Sequence, residues 1–198
     1  MNPWWLVLAG AGLIVLTTSI GLARRPRIGR VESRVFHAVN GLPDGFYLFL
    51  WVPMQLGNLV VGVSVGLVVA LVDRDPTIAI GVALALVLKL VAERIVRREI
   101  AGFLAVRQRP GTSQVTAVLR GDVPSTGPSF PSGHAILVAA VGSVVTPSLP
   151  PPWWWAPALA TGLVMVGRVY VGAHNPLDVT AGLGAGLLLG GVVASLAG

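Results

Sequence analysis

The sequence contains no cysteine and few charged residues. Without a thiol, the chain forms no disulfide and offers no thiolate ligand to a metal ion. Lysine, arginine, aspartate and glutamate make up 11% of its 198 residues, whereas a soluble domain carries about a quarter. Hydrophobic residues make up 54%. This composition excludes an ordinary soluble globular domain and favours a membrane protein.

Long apolar segments occupy most of the chain. A helix needs about 20 apolar residues to cross a bilayer, and the candidate segments lie near residues 4–23, 46–72, 77–96, 134–149, 154–170 and 177–197. The first lacks a basic n-region, so we interpret it as a membrane helix rather than a signal peptide. We therefore predict an all-α polytopic membrane protein: one domain, 1–198, folded as a six-transmembrane-helix bundle.

Three smaller features complete the predicted architecture. Val31, Val35, Phe36 and Val39 fall on one helical face, which predicts an interfacial helix at about 30–40. The polar stretch from about 97 to 133 is longer than most connections, which favours an active-site loop. In the last segment, glycines recur every fourth residue and predict close helix packing: Gly182, Gly186 and Gly190. Pro53 predicts a tilt or kink in the second.

Charge and aromatic residues separate onto two predicted sides. With six spans, all the clustered tryptophans fall on the side of the N-terminus: Trp4, Trp5, Trp153, Trp154 and Trp155. Apart from candidate ligands, the opposite side holds Arg24, Arg25, Arg27, Arg30, Arg34, Arg94, Arg97, Arg98 and Arg120, and the tryptophan side holds Arg74. The positive-inside rule then predicts an integral plasma (inner) membrane protein whose basic side is cytoplasmic. Membrane topology explains the net charge of +6 better than nucleic-acid binding does.

Three polar clusters lie on the predicted basic side. The first is "RQRPG", with Arg107 and Arg109; the second is "FPSGHA", with Ser132, Gly133 and His134; the third is "GRVYVGAHNPLDV", with Arg168, His174 and Asp178. Guanidinium groups bind phosphate oxygens in bidentate fashion. Free N–H groups at a helix N-terminus bind anions, and a serine there can cap the helix.

The histidines suit phosphoryl transfer. An imidazole can act as a nucleophile and form a covalent intermediate, while a second one can act as general acid. Asp178, four residues after His174, could reach its ring, fix its tautomer and stabilise the imidazolium. Alone, each cluster has a simpler explanation: a capped helix start, an i,i+4 pair, topology-determining arginines or a two-histidine metal site. Together they favour a phosphate site.

The spacing of these clusters resembles the type 2 phosphatidic acid phosphatase superfamily of integral membrane lipid phosphatases. That family has a lysine seven residues before Arg-Pro, then Pro-Ser-Gly-His, then Ser-Arg with a histidine six and an aspartate ten residues after the arginine. Here "PSGH" is intact at 131–134, and Arg168, His174 and Asp178 keep the last spacing. Gly167 replaces the serine and Gly102 the lysine.

The resemblance implies a role for each matching residue. His174 would be the nucleophile, Asp178 its partner and His134 the general acid. Arg109, Arg168, Ser132 and the Gly133 amide would hold the phosphate, without metal or cofactor. Arg107 is our first choice to replace the lysine, with Arg97 and Arg98 as alternatives.

The expected partners are a bilayer and a phosphorylated lipid. The expected reaction is metal-independent hydrolysis of a phosphomonoester on a polyprenyl-linked phosphosugar or a glycerophospholipid phosphate. Two alternatives stay open: a polyprenyl pyrophosphate phosphatase, and a non-catalytic membrane protein that binds anionic lipid. The sequence predicts no oligomeric state.

Overall fold

A computed structural model describes residues 4–24, 27–95 and 107–197. All extended structure within these ranges is one isolated bridge between Gln108 and Pro128, and every other regular element is helical. The helices are α1 (Trp4–Ala23), α2 (Arg30–Asn40), α3 (Tyr47–Met54), α4 (Leu59–Asp73), α5 (Pro76–Ile95), α6 (Pro110–Ser113), α7 (Gly133–Val145), α8 (Ala156–Tyr170) and α9 (Pro176–Ala197). The predicted all-α class is therefore confirmed.

The second predicted span is broken. Helices α3 and α4 meet at an angle of 70°, and a 3₁₀ turn at Gln55–Gly57 separates them. Asn58 then starts α4 as its N-cap, because its side chain accepts a hydrogen bond from the Val60 amide at 3.0 Å. A single helix over 46–72 is therefore wrong. Pro53 lies in the last turn of α3, just before the break.

Two of the described helices, α1 and α9, are long and apolar enough to cross a membrane by length and composition. The bent α3–α4 pair would be a third if it counts as one span. Large apolar side chains are exposed along the outside of α1, α3 and α4, and they include Val7, Ile14, Leu48, Val52, Leu71 and Val72. An exterior of this kind suits a lipid environment rather than water.

Glycines allow α9 to pack closely against two neighbours. A Cβ at Gly182, Gly186 or Gly190 would lie within 3 Å of atoms in the segment Ser132–Ser143. A second set of glycines on α9, Gly184 and Gly191, meets the α1 backbone in the same way. The predicted small-residue packing is confirmed, and it brings the starts of α7 and α9 together.

Helix α2 occupies the predicted range, but its apolar residues have different surroundings. Phe36 is fully buried in a cluster with Ala135, Val169 and Val179, whereas Val31 is 72% exposed and Val35 47%. The four valine and phenylalanine positions therefore do not form one exposed apolar face. The buried side of α2 also carries polar residues, which reach the candidate site.

Candidate active site

The polar clusters converge at one end of the bundle, where α7 and α9 begin and α8 ends. The Ser132 amide donates to the Asp178 carbonyl at 2.9 Å, and His174 Nδ1 is 2.8 Å from the Ser129 carbonyl. These two hydrogen bonds join "FPSGHA" and the preceding Ser129 to the third cluster across more than 40 residues.

A tight turn sets the spacing between Arg168 and His174. The Arg168 carbonyl accepts from the Ala173 amide at 3.0 Å and from the His174 amide at 3.2 Å. Gly172 has φ +76°, and a Cβ there would lie 2.7 Å from the Val118 carbonyl oxygen. Because other residues rarely adopt this conformation and no space is available, the turn needs glycine.

The tautomer of His174 follows from its hydrogen bond. A carbonyl oxygen can only accept, so Nδ1 must carry the proton that it shares with Ser129. The other nitrogen, Nε2, then holds a free lone pair. From the sequence we predicted that Asp178 fixes the tautomer of His174. In the structure the hydrogen bond from Nδ1 goes instead to the Ser129 backbone carbonyl. A motif of side chains cannot reveal a backbone partner.

Asp178 lies beside the ring without a normal hydrogen bond to it. Its Oδ2 is 3.8 Å from His174 Nδ1, longer than a hydrogen bond, and Oδ2 instead accepts from the Asn175 amide at 2.8 Å. Burial lowers the pKa of His174, although the adjacent carboxylate acts to raise it. The neutral imidazole is therefore favoured, with a fixed negative charge behind it.

Arg107 lies under this histidine turn, between two carboxylates. Its Nε donates to Asp178 Oδ1 at 3.1 Å, and its Nη2 pairs closely with Glu32 Oε1. The side chain is 2% exposed. Only Nη1 lacks a partner, so it is the one Arg107 atom left for a ligand. Sequence reasoning did not single out Glu32.

Asn175 ties the active-site loop to the same turn. Its Oδ1 accepts from Gln114 Nε2 at 2.8 Å, and its Nδ2 donates to the Gln108 carbonyl at 3.2 Å. Asn175 is completely buried. Asn175, the residue after the nucleophile candidate, is therefore held by its side chain and its backbone, and the sequence analysis did not single it out as part of the candidate site.

Three cations surround the start of α7; we call Lys89, Arg109 and Arg168 the cation cluster. Arg109 Nη1 donates to the Ala173 carbonyl at 3.0 Å, and burial lowers the pKa of Arg109, opposed by the charge of Asp178. Arg168 Nε is buried and has no hydrogen-bond partner. Buried donors rarely stay unpaired, so a bound anion would satisfy this one.

Lys89 is not among the site residues predicted from the sequence, and it lies deep in the apolar segment 77–96. Its Nζ pairs with Glu93 at 3.1 Å and would lie 3.6 Å from a Cβ on Gly133. The Glu93 carboxylate would lie even closer to a Cβ at Gly133, so only a glycine leaves room for it there. An ionisable residue inside an apolar helix is itself a sign of function, and that signal could have identified Lys89.

The N-terminus of α7 has an unpaired hydroxyl. Ser132 is the N-cap residue, yet its side chain makes no capping hydrogen bond, and its Oγ is buried without a partner. The expected cap is therefore not formed, and the hydroxyl is available to a ligand. Among the described residues, no group of three histidines or carboxylates could hold a metal ion.

His134 is the second residue of α7 and lies against the α3–α4 break. A Cβ on Gly57 would be 2.7 Å from His134 Cβ and 2.9 Å from its Cδ2, so the glycine lets the backbone approach the ring. Arg168, His174, Lys89 and Arg109 all interact electrostatically with His134. The two imidazoles therefore share one charged environment.

This sequence departs from the family motif at Gly167, where serine is usual, and at Gly102, where lysine is usual. At Gly167 the space for a serine side chain is filled, because a Cβ there would collide with Met54. Gly102, Arg97 and Arg98 lie outside the described residues.

Comparison with known proteins identifies the family. A model of the PAP2 superfamily matches residues 77–197. The chain is 31% identical over 140 residues to an undecaprenyl-diphosphatase of Sulfolobus acidocaldarius, a match that covers 70% of this chain and 63% of that protein.

Two crystal structures share the fold. LpxE of Aquifex aeolicus is 22% identical with a TM-score of 0.69, covering 82% of this chain and 93% of LpxE. A PAP2-type phosphatidylglycerolphosphate phosphatase of Bacillus subtilis is 19% identical, also with a TM-score of 0.69, covering 94% and 95%. The resemblance stated above is confirmed: this chain belongs to the PAP2 superfamily.

Proposed function

We propose that this protein hydrolyses the terminal phosphate of a membrane lipid through a phosphohistidine on His174. The observation that carries the proposal is the hydrogen bond from Nδ1 to the Ser129 carbonyl at 2.8 Å. This hydrogen bond leaves the Nε2 lone pair of His174 free. The positive charges of Arg168 and Arg109 interact with the same imidazole ring. A neutral nucleophile beside two guanidinium groups suits attack on a phosphate dianion.

The phosphate would lie at the start of α7. We assign its oxygens to Arg168, Arg109, the Ser132 hydroxyl and the Gly133 amide, because two of these groups offer buried polar atoms without protein partners. Lys89 lies near Gly133, where it is paired with the Glu93 carboxylate, and we propose that it takes the place of the lysine expected at Gly102. The hydrogen bonds of Arg107 favour a supporting role, with Nη1 alone left for the substrate.

In the first step, His174 Nε2 attacks phosphorus and the bond to the leaving oxygen breaks. His134, as imidazolium, gives its proton to that oxygen. The phosphate's negative charge offsets the cation cluster and so favours a protonated His134 before the transfer. The phosphorylated His174 ring carries a positive charge, which the Asp178 carboxylate at 3.8 Å stabilises.

In the second step, water attacks phosphorus and the N–P bond breaks. His134, now neutral, takes the water proton, and inorganic phosphate leaves while His174 returns to its neutral form. His134 carries the proton in both steps, and the arginines, Ser132, the Gly133 amide and Asp178 stabilise the charges, so we propose that the reaction proceeds without a metal ion.

The substrate is a lipid phosphate held in a bilayer. A phosphomonoester on a polyprenyl-linked phosphosugar or a glycerophospholipid is the first candidate. The second is a polyprenyl diphosphate, which the undecaprenyl-diphosphatase relative favours at 31% identity. In both cases the attacking and departing atoms are the same, and only the leaving group differs.

We further propose six membrane spans, with the α3–α4 pair as one bent span, in a multi-pass plasma (inner) membrane protein. The site end would face the cytoplasm, because the described arginines outside the site lie mostly there. Arg27→Cys, at an exposed position, should resist impermeant thiol reagents in intact cells. Free labelling would reverse the orientation. Arg120 is a poor cysteine site because its side chain is buried against Tyr170.

The function is tested by phosphate release from a lipid panel in the presence of a chelator. The panel holds a polyprenyl diphosphate, phosphatidylglycerol phosphate and phosphatidic acid, and the matched control is His174→Ala. Chelator-resistant release from at least one lipid by the wild type, but not by the variant, is the expected result. Binding without release would favour a non-catalytic lipid-binding protein, and the preferred lipid would separate the two substrate candidates.

A further inference from the structure

Two adjacent residues of α2 reach the candidate site by separate routes. Glu32 and Ser33 lie on the short helix between α1 and α3, outside the range 77–197 that the family model matches. Neither residue contacts the cation cluster through any hydrogen bond in the described residues. Each is instead joined to the turn that carries His174.

The first route is ionic. Glu32 Oε1 pairs with Arg107 Nη2 and also accepts from the Leu177 amide at 3.0 Å. Arg107 Nε continues to Asp178 Oδ1 at 3.1 Å. The side chains of Arg107 and Asp178 are 2% and 0% exposed, so water can hardly replace any of these bonds. The Glu32 carboxylate therefore fixes Arg107, and Arg107 fixes the carboxylate beside the His174 ring.

The second route is neutral. Ser33 Oγ donates to Gln114 Oε1 at 2.9 Å, and Gln114 Nε2 donates to Asn175 Oδ1 at 2.8 Å. The Asn175 backbone N–H then donates to Asp178 Oδ2 at 2.8 Å. The two routes meet at Asp178, one at each carboxylate oxygen, so together they set the plane of that carboxylate.

We propose that Glu32 and Ser33 are positioning residues, through which α2 sets the orientation of Asp178 and of the His174 ring. This inference rests on the proposed function. It makes α2 part of the catalytic arrangement rather than a membrane-surface attachment only. Removal of either route should misplace the nucleophile while leaving the phosphate-binding groups in place.

The test separates turnover from phosphate binding. On a short-chain lipid phosphate in detergent, Glu32→Gln should lower kcat by about 10- to 100-fold, the scale expected when a reacting group is misplaced. The inhibition constant of inorganic phosphate should stay within about twofold, because the groups assigned to the phosphate oxygens (Arg168, Arg109, Ser132 and the Gly133 amide) make no hydrogen bond to Glu32 and Arg107 has only a supporting role. Glu32→Asp should recover part of kcat, and the exposed neighbour Arg34→Gln should match the wild type.

The neutral route gives a milder variant that keeps the test valid if Glu32→Gln folds poorly. Ser33→Ala removes one hydrogen bond and should lower kcat about two- to tenfold, again with unchanged phosphate inhibition. For the ionic route, Glu32→Gln combined with Arg107→Met should be no slower than Arg107→Met alone, because Glu32 acts through Arg107.

Several outcomes would overturn the inference. Wild-type kcat in Glu32→Gln or Ser33→Ala would do so, as would equal losses in kcat and phosphate affinity, or independent losses from Glu32 and Arg107. If the wild type released no phosphate from any lipid, the proposed function itself would fail. An active wild type with unaffected α2 variants would remove only the role of α2.

Discussion

The two ends of the helix bundle are built by different means. At the site end, buried polar side chains are joined by hydrogen bonds between residues far apart in sequence, such as Arg107 with Asp178 and Asn40 with Tyr170. At the other end, a cavity of about 590 Å³ is lined almost entirely by apolar groups, among them Trp4, Leu8, Trp154, Pro157, Met165 and Leu187. Trp153, Trp154 and Trp155 are all more than half exposed there.

This contrast indicates where precision matters. A buried hydrogen bond fixes both distance and direction, and an unpaired partner is costly. Apolar contacts tolerate changes of shape more readily. The site end is therefore suited to holding the proposed reacting groups in place, whereas the tryptophan end fits a lipid boundary, where aromatic residues are common. Variants that distinguish the ends test this account.

The largest expected difference comes from His174→Ala. Loss of the nucleophile should reduce phosphate release by at least about 10³-fold. Ala158→Leu, which fills part of the cavity at the other end, should change the rate less than threefold. Both are measured as phosphate release from the same lipid, with gel filtration to check folding. A cavity variant as damaging as His174→Ala would break the comparison.

His134→Ala should have a smaller effect that depends on the leaving group. General acid catalysis typically contributes 10²- to 10⁴-fold, so lipid phosphates with poor leaving groups should lose about that much. The aryloxide of an activated aryl phosphate leaves without being protonated. For such substrates the rate of the phosphorylation step should therefore fall by a factor at least tenfold smaller. Single-turnover rates on both substrates measure the difference, and equal losses would exclude His134 as the acid.

Two glycines on α9 sharpen the comparison on a single helix. Gly182→Ala would press a Cβ against the Ser132 carbonyl, 2.6 Å away, and should lower kcat by about tenfold by moving the start of α7. Gly190→Ala meets the Ser143 side chain near the other end, and kcat should stay within twofold. Both should lower the thermal stability in detergent. Equal kcat values would show that the site end tolerates displacement.

The smallest effect concerns pH. Nε2 must be unprotonated to attack, and burial lowers the pKa of His174 from its ordinary 6.5. The acid limb of kcat/KM, which reports the free enzyme, should therefore have its midpoint below pH 6.5, and because the reaction also needs His134 as imidazolium, the rate should fall again at higher pH. A midpoint above 6.5 would contradict a buried neutral imidazole.

Local features of the chain could be predicted from sequence. Hydropathy located α1, α5 and α9 within a residue or two of their observed ends, and the glycine spacing predicted close packing along one face of α9, although not that α7 is the partner. The 70° break was missed, since Pro53 suggested only a kink. Asn58 after Gly57 is a local signal for a turn and a helix cap, yet the long apolar stretches on both sides concealed it.

The supporting contacts of the site could not be predicted, for a physical reason. Glu32 and Leu177 are 145 residues apart, and the Ser129 carbonyl is a backbone group that no residue type reveals. Such partners are fixed only when the helices pack. Sequence spacing named the histidines, Asp178 and the arginines, but it gave no sign that Ser129, Asn175 and Glu32 hold them.

The most direct test is to trap the covalent intermediate. The His134→Ala protein should be mixed with an activated aryl phosphate. This substrate can phosphorylate His174 without a general acid, but the variant then lacks the base that would activate water for hydrolysis of the intermediate. After quenching in alkali, which preserves an N–P bond, mass spectrometry should find phosphate on the peptide that contains His174. Phosphate on another residue, or none while the aryl product is released in a burst, would contradict the account.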